Sequence, residues 1–313
     1  MTGSGPEMLR KILRVVLWLL LAFVLFIAVQ AFRHWNTIQR VFLGGTHDHE
    51  TVPPQLPANL PRPAVLVFSK TNAFRHEESI PPGNAFFAQL AREKGWGYFQ
   101  TENGAAFSPE ILSRFDAVVF NNVSGDVFSP AQQAAFKEWL EKGGGYVGIH
   151  AAGDNSHKDW GWYINDLIGA LFTQHTMDPQ FQQATVNVED KAHRAVQGLP
   201  ASWQRVEEWY SFDKSPRTTG AQVLITVDEK TYNPVGMFGK DLRMGDHPMV
   251  WARCVGKGRF LYSAFGHRAE SWAEPENRQL LANSLGWALK LNGNECGTGS
   301  SPAATKEAGS KDK

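Results

Sequence analysis

The chain has 313 residues, 42 % hydrophobic and 20 % charged, enough to bury the core of one large domain or two small ones. Its 31 basic and 31 acidic residues cancel, so it lacks the basic excess that draws phosphate backbones, and nucleic acid is not an expected partner. Two cysteines without a CxxC rule out a disulfide framework and a zinc finger.

Arg10, Lys11 and Arg14 precede an uncharged run from Val15 to Phe32, interrupted only by Gln30. At ~1.5 Å per residue this run spans about 27 Å, close to the hydrocarbon thickness of a bilayer, so 15–32 reads as a transmembrane signal-anchor. A cleaved secretory signal, cut near Val29-Gln30-Ala31, is the alternative. The basic residues keep 1–14 in the cytoplasm and send the rest across, which predicts an extracytoplasmic body on the periplasmic or outer face. Residues 33–62 lack any period and include "TVPPQLPANLPRP", a proline-rich spacer expected to be a stiff stalk. Within it "HDHE" (47–50) reads as a solvated polar tract.

The folded body is expected over 63–292. "AVLVFS" (64–69), "AVVFNN" (117–122) and "YVGIHA" (146–151) are continuous apolar runs of strand length, the mark of parallel strands buried on both faces. A weaker strand, "GYFQTE", lies between the first two. "NAFFAQLAREKG" closes a helix on Gly95, and "SPAQQAAFKEWLEKGG" supplies Ser129 as N-cap with Pro130 at the first helical position. The alternation predicts an α/β fold with a doubly wound, mostly parallel sheet, in which ligands bind beyond the carboxyl ends of the strands. Further on, "QQATVNVED", "AQVLITVDE" and "PMVWARCVGKGRFLYSAFG" read as strands of an added antiparallel portion. A last helix places Leu280, Leu281, Leu285 and Leu289 on one face. Residues 293–313 read as a disordered tail. A single bridge between Cys254 and Cys296 would need an oxidising compartment and is not favoured, because Cys296 falls in that tail.

Candidate chemistry centres on "GGGYVGIHAAGD" (143–154). His150 stands at the corner where a strand meets a glycine turn, the position at which other folds present a nucleophile. With neither cysteine nor serine there, thiol and serine acyl transfer lose their nucleophile. Asp154 follows within a turn and is the expected orienting carboxylate for His150. Other candidates are Arg75 and His76, Trp160 with Trp162 and Tyr163, His175, Glu208 followed by Trp209 and Tyr210, His247, and His267-Arg268. Eleven tryptophans suit apolar sugar faces as well as cores. Trp139 and Trp287 on helices are expected in the core, His157 and His193 in solvent, and one of Glu207 and Glu208 facing water.

"FRHEESI" (74–80), "GGGYVGIHAAGD", "EEWYSFDKSPR" (207–217), "HPMVW" (247–251) and "FGHRAESW" (265–272) occur in an order that resembles the trehalose-utilisation (ThuA-like) family over roughly 64–291. The resemblance implies a flavodoxin-like sheet of the class I glutamine amidotransferase superfamily without its cysteine, whose place His150 takes, and a link to sugar metabolism. It carries Arg75, His76, His150, Asp154, Glu208, His247 and His267 into a common pocket.

Two functions follow as expectations. In the first, the chain acts on a (3-keto-)glycoside or disaccharide as a lyase, hydrolase or isomerase, with His150, Asp154 and Glu208 catalytic. Arg75, His76, Trp160, His175, Trp209, Tyr210, His247, His267 and Arg268 would then bind substrate. A divalent metal such as zinc, on His150 and His267, is a second form of the same chemistry. In the second, the body is a non-catalytic sugar- or wall-binding module. Both expect a small-molecule carbohydrate and the membrane as partners, and leave a homo-oligomer open.

Overall fold

The computed structural model describes residues 5–35, 38–39 and 45–293. A first helix, α1 (Gly5–Arg33), takes in the whole apolar run together with the three basic residues ahead of it, and none of its apolar window is buried in the body. It is long and apolar enough to cross a membrane, with a mean hydropathy of 2.9.

The body begins with β1 (Ala64–Phe68), α2 (Ile80–Lys94), β2 (Gly97–Thr101), the short α3 (Pro109–Leu112), β3 (Ala117–Asn121), α4 (Pro130–Glu141) and β4 (Gly145–Ile149). Every residue of β1, β3 and β4 is buried, as their unbroken apolar character demands. Helix α2 starts earlier than "NAFFAQLAREKG" suggests, because Pro81 and Pro82 fall in its first turn, where a missing N–H costs nothing. It stops at Gly95, whose φ of 70° is left-handed. Ser129 and Gln132 close a reciprocal capping box on α4.

Then follow β5 (Phe172–His175), β6 (Phe181–Val188), β7 (Ser202–Glu208), β8 (Tyr210–Phe212), β9 (Gln222–Val227), β10 (Pro248–Val255), β11 (Gly258–Ser263) and α5 (Pro275–Ala288). Nine strands form one sheet in the order β2-β1-β3-β4-β11-β10-β9-β6-β7. The first five are mutually parallel, a flavodoxin-like order, and the remaining pairings are antiparallel. β5 and β8 make a separate antiparallel ribbon. Leu280, Leu281, Leu285 and Leu289 of the last helical segment are buried as its spacing implies, and α5 returns onto β4 and β11.

The outermost strand does not stay at the far edge. Glu207 at the end of β7 accepts hydrogen bonds from Gly266 N (3.0 Å) and Ser271 Oγ (3.1 Å), both beyond β11. The antiparallel extension therefore curls back over the carboxyl ends of the parallel strands. Strand β7 escapes sequence periodicity because it buries Arg205, Glu207 and Glu208 rather than apolar residues.

Three expectations change. Residues 45–62 are not a free stalk: Thr46 N donates to Asn72 O, Lys70 Nζ pairs with Glu50 (2.7 Å), Asn103 Nδ2 donates to Val52 O, and Gly97 N donates to Pro61 O. The "HDHE" tract is correspondingly engaged, with His47 (2.8 Å) and His49 (3.2 Å) both on the Asp126 carboxylate. Cys254 on β10 is disulfide-bonded, while Cys296 and the expected tail from 294 onward lie outside the described residues.

Arg205 is almost fully buried, bonded to Glu207 Oε2 at 2.8 Å and stacked 3.9 Å from the Phe265 ring centroid. Removing it in Arg205→Ala strands a buried carboxylate, and the expected loss is about 3–5 kcal/mol of stability in urea denaturation of the solubilised chain.

Candidate functional site

Where β4 ends, His150 adopts φ 49°, a left-handed conformation unusual for a residue with a side chain. The corner foreseen in "GIHAA" is thus built into the backbone. Tyr262 O–H donates to the His150 carbonyl (2.7 Å) and fixes it from β11. The imidazole is fully buried; its Nδ1–H donates to Ala264 O (2.7 Å), so Nε2 is the nitrogen it turns toward the site.

Past β11, Gly266 has φ 114°, and a Cβ there would come within 2.8 Å of Ile149. This glycine lets the chain pass close enough to lay His267 against His150. The His267 Nδ1 is 3.1 Å from His150 Nε2 and 3.1 Å from Glu208 Oε2, and the same carboxylate oxygen is 3.4 Å from His150 Nε2. On the other side of Glu208, Oε1 accepts from Gln180 Nε2 (2.5 Å) and faces His175 Nδ1 (3.2 Å). His175 Nδ1–H donates to Thr176 O (2.8 Å), which leaves its Nε2 with the lone pair. From the β1 side, the His76 ring meets those of His150 and His267 edge-on at centroid distances of 4.8 and 4.5 Å. Its Nδ1 is buried without a hydrogen-bond partner.

Access differs sharply within this group. His150 and Glu208 are 0 % and 2 % exposed, whereas His267 and His175 are 18 % and 28 % exposed. Only the latter two imidazoles can touch a ligand from solution. Burial alone would raise the Glu208 pKa, but hydrogen bonds and charge from His150 and His267 hold it far below the ordinary carboxylate range. For His150 burial works downward and is overcome by Glu208, Glu207 and the Ala264 carbonyl, so its pKa is raised. His76 is pushed well below the ordinary value by burial and by the neighbouring His150 and His267.

The structure thus brings His76, His150, His175, Glu208 and His267 together, with Tyr210 packed 4.2 Å from the His150 ring. It does not bring Asp154 to His150. Asp154 Oδ1 accepts from Ser156 N (2.8 Å) and Ser156 Oγ, capping its own turn, and burial raises its pKa. The orienting carboxylate comes from β7 instead. His247 spends both nitrogens on structure, Nδ1 with Glu229 (2.8 Å) and Nε2–H donating to Tyr210 O (2.7 Å). Trp209 is wholly buried with its N–H on Gln182 O, and Trp160 stacks on Tyr163, so neither is a sugar platform at the cluster. Arg268 pairs with Glu270 and covers Phe181, which itself packs on His267 at 5.0 Å. His157 and His193 are buried rather than solvated, as are both glutamates of the 207/208 pair.

Gln180, Phe181 and the backbone-binding role of Glu207 had no sequence signal beyond "EE" at a strand end. Arg75 lies on the rim, bonded to Glu102 (2.8 Å) and Glu77 (3.2 Å). It borders a polar cleft of about 450 Å³ that also takes in Lys70, Thr71 and Asn72. A second cavity, about 220 Å³, lies by His49, His157 and Trp160. Neither is the histidine cluster itself; the cleft adjoins it in sequence through the Arg75-His76 step.

Residues 64–288 match the family model for ThuA, trehalose utilisation. A ThuA-like protein from Bacteroides uniformis superposes with TM-score 0.65 and 29 % identity, over 78 % of this chain and 98 % of that one. Another from Parabacteroides merdae gives TM-score 0.56 at 18 % identity, over 77 % and 93 %, a likeness of fold. No curated protein matches the chain.

In Glu208→Gln, burial is left as the main influence on His150, and its pKa is expected to fall below the wild-type value in imidazole NMR titration of chelator-treated protein. Glu208 contributes stability above its unfolded pKa of 4.5, lost as pH falls through its depressed folded value; His150 contributes below 6.5, lost as pH rises through its raised one. The stability gap between wild type and variant is therefore widest between pH 4.5 and 6.5.

Proposed function

The chain belongs to the ThuA, trehalose-utilisation, family, and from that premise we propose that its body is an enzyme acting on a (3-keto-)glycoside or disaccharide. One observation carries the reading. A single buried carboxylate, Glu208, stands between two partly exposed imidazoles at the ligand-binding end of the sheet, with His175 Nδ1 3.2 Å from Oε1 and His267 Nδ1 3.1 Å from Oε2.

A ketone at C3 of a sugar ring acidifies the hydrogen on C2. His175 Nε2, whose tautomer is set by Thr176 O, removes that proton, and the electron pair moves into the C2–C3 enolate. Collapse of the enolate forms the C1–C2 double bond and breaks the bond from C1 to its oxygen substituent. The departing oxygen takes a proton from water at the open edge beside His267, giving an unsaturated keto-sugar and a free alcohol. Glu208, with Oε1 beside His175 and Oε2 beside His267, offsets the positive charge as protons move. Arg75, already answered by Glu102 and Glu77, serves the binding cleft rather than the reacting carbons.

We also read α1 as a membrane anchor with the body on the extracytoplasmic side. The three basic residues ahead of the apolar run support that orientation. So does the disulfide at Cys254, since such bonds persist in oxidising compartments.

Incubation with 3-keto-glucosides is expected to release the aglycone and to exchange the C2 hydrogen with deuterated solvent. His175→Ala should lower the rate by about 100-fold or more while leaving the circular dichroism spectrum unchanged. Tight sugar binding with neither release nor exchange would instead make the body a binding module. For the anchor, the full chain should co-float with liposomes through an alkaline wash, and a chain lacking 5–33 should stay at the bottom of the gradient.

A further inference from the structure

We propose that His150, His267, Glu208 and His76 form a binding site for one divalent transition metal ion of the zinc class. The first argument is a triangle that protons cannot satisfy. His150 Nε2, His267 Nδ1 and Glu208 Oε2 lie 3.1, 3.1 and 3.4 Å apart. If one nitrogen carries a proton, the other faces the carboxylate oxygen lone pair to lone pair. If both carry protons, the two N–H groups face each other. With Glu208 ionised, as its two imidazole neighbours hold it, every assignment leaves one edge of the triangle repulsive, in a place with little water to relieve it.

A cation removes the conflict at all three edges. Bonds of ~2.1 Å, set at tetrahedral to octahedral angles, separate neighbouring ligand atoms by about 3.0–3.4 Å, the spacing seen here. The second argument is His76. Its Nδ1 is buried and without a partner, and its ligand atom lies within 4.8 Å of those of His150 and His267. The third is the surrounding support. His150 donates Nδ1–H to a backbone carbonyl, and Glu208 has its second oxygen held by Gln180. Metal-binding imidazoles and carboxylates are characteristically steadied in this way.

Three imidazoles and one carboxylate favour zinc, cobalt, iron(II) or manganese over calcium and magnesium, which prefer all-oxygen sets. The partly exposed edge at His267 and His175 leaves a coordination position open to a ligand. The existence of the site is independent of the carbohydrate reading. Its use rests on that reading: the ion would take the C3 oxygen of the keto-sugar and stabilise the enolate, while His175, outside the ligand set, remains the base.

The test uses the full chain in detergent, stripped with a chelator and re-equilibrated with Zn²⁺ or Co²⁺. One metal per chain by mass spectrometry is expected, together with visible Co²⁺ bands of a four- or five-coordinate nitrogen-rich site. His267→Ala and the milder His76→Gln should each weaken Co²⁺ affinity by at least tenfold while circular dichroism stays unchanged; His175→Ala should keep the stoichiometry. A folded wild type that retains no stoichiometric metal, or Co²⁺ bands indifferent to both His76→Gln and His267→Ala, overturns the proposal. Metal binding without turnover of any keto-glucoside leaves the site standing and removes the carbohydrate mechanism. Full turnover by the stripped protein leaves the carbohydrate mechanism standing and overturns the ion's part in it.

Discussion

The Glu207 carboxylate, held by Arg205 inside the protein, ties the last strand of the sheet to the loop after β11. Without that tie the antiparallel extension would run away from the parallel block, and Glu208 would sit several strands from His150. Burying an ion pair is costly, and a pair of this kind seldom improves on an apolar contact. Here it yields position. Two neighbouring glutamates divide the task, Glu207 gripping backbone amides and a serine, and Glu208 gripping side chains.

Around that tie the site is assembled from distant parts of the chain. His76 comes from the loop after β1, His150 from the corner after β4, His175 from the β5 ribbon, Glu208 from β7 and His267 from the turn after β11. Two backbone features make the approach feasible: the left-handed His150, and a glycine at 266 where no side chain would fit. The buried members carry the electrostatic adjustment and the half-buried members face solvent. This division explains how strongly shifted groups coexist with an opening to solvent.

The parallel half of the sheet was readable from sequence because its strands are buried on both faces and leave unbroken apolar runs. His150 was readable because a histidine ending such a run, before a glycine turn, has few packing reasons to be there. The choice of Asp154 as its carboxylate failed because nearness in sequence is a poor guide once a strand ends in a tight turn; Asp154 was consumed by Ser156. The partnership with Glu208 depends on sheet curl, a property of nine strands together, and no local window of sequence encodes it. His247 and Trp209 misled for the opposite reason. Their residue types suit a site, but Glu229, Tyr210 and Gln182 had already taken their polar atoms.

The segment from Gly45 to Glu50 is bonded to Lys70, Asn72 and Asp126, which follow β1 and β3 on the same rim that carries the histidines. Helix α1 ends at Arg33, and the dozen or so residues to Gly45 reach at most ~40 Å when fully drawn out. In an anchored chain, then, it is the mouth of the site and not the back of the domain that is kept on a short leash. The protein would work a thin layer above the lipid, meeting molecules that are held in that layer far more often than those passing through the bulk.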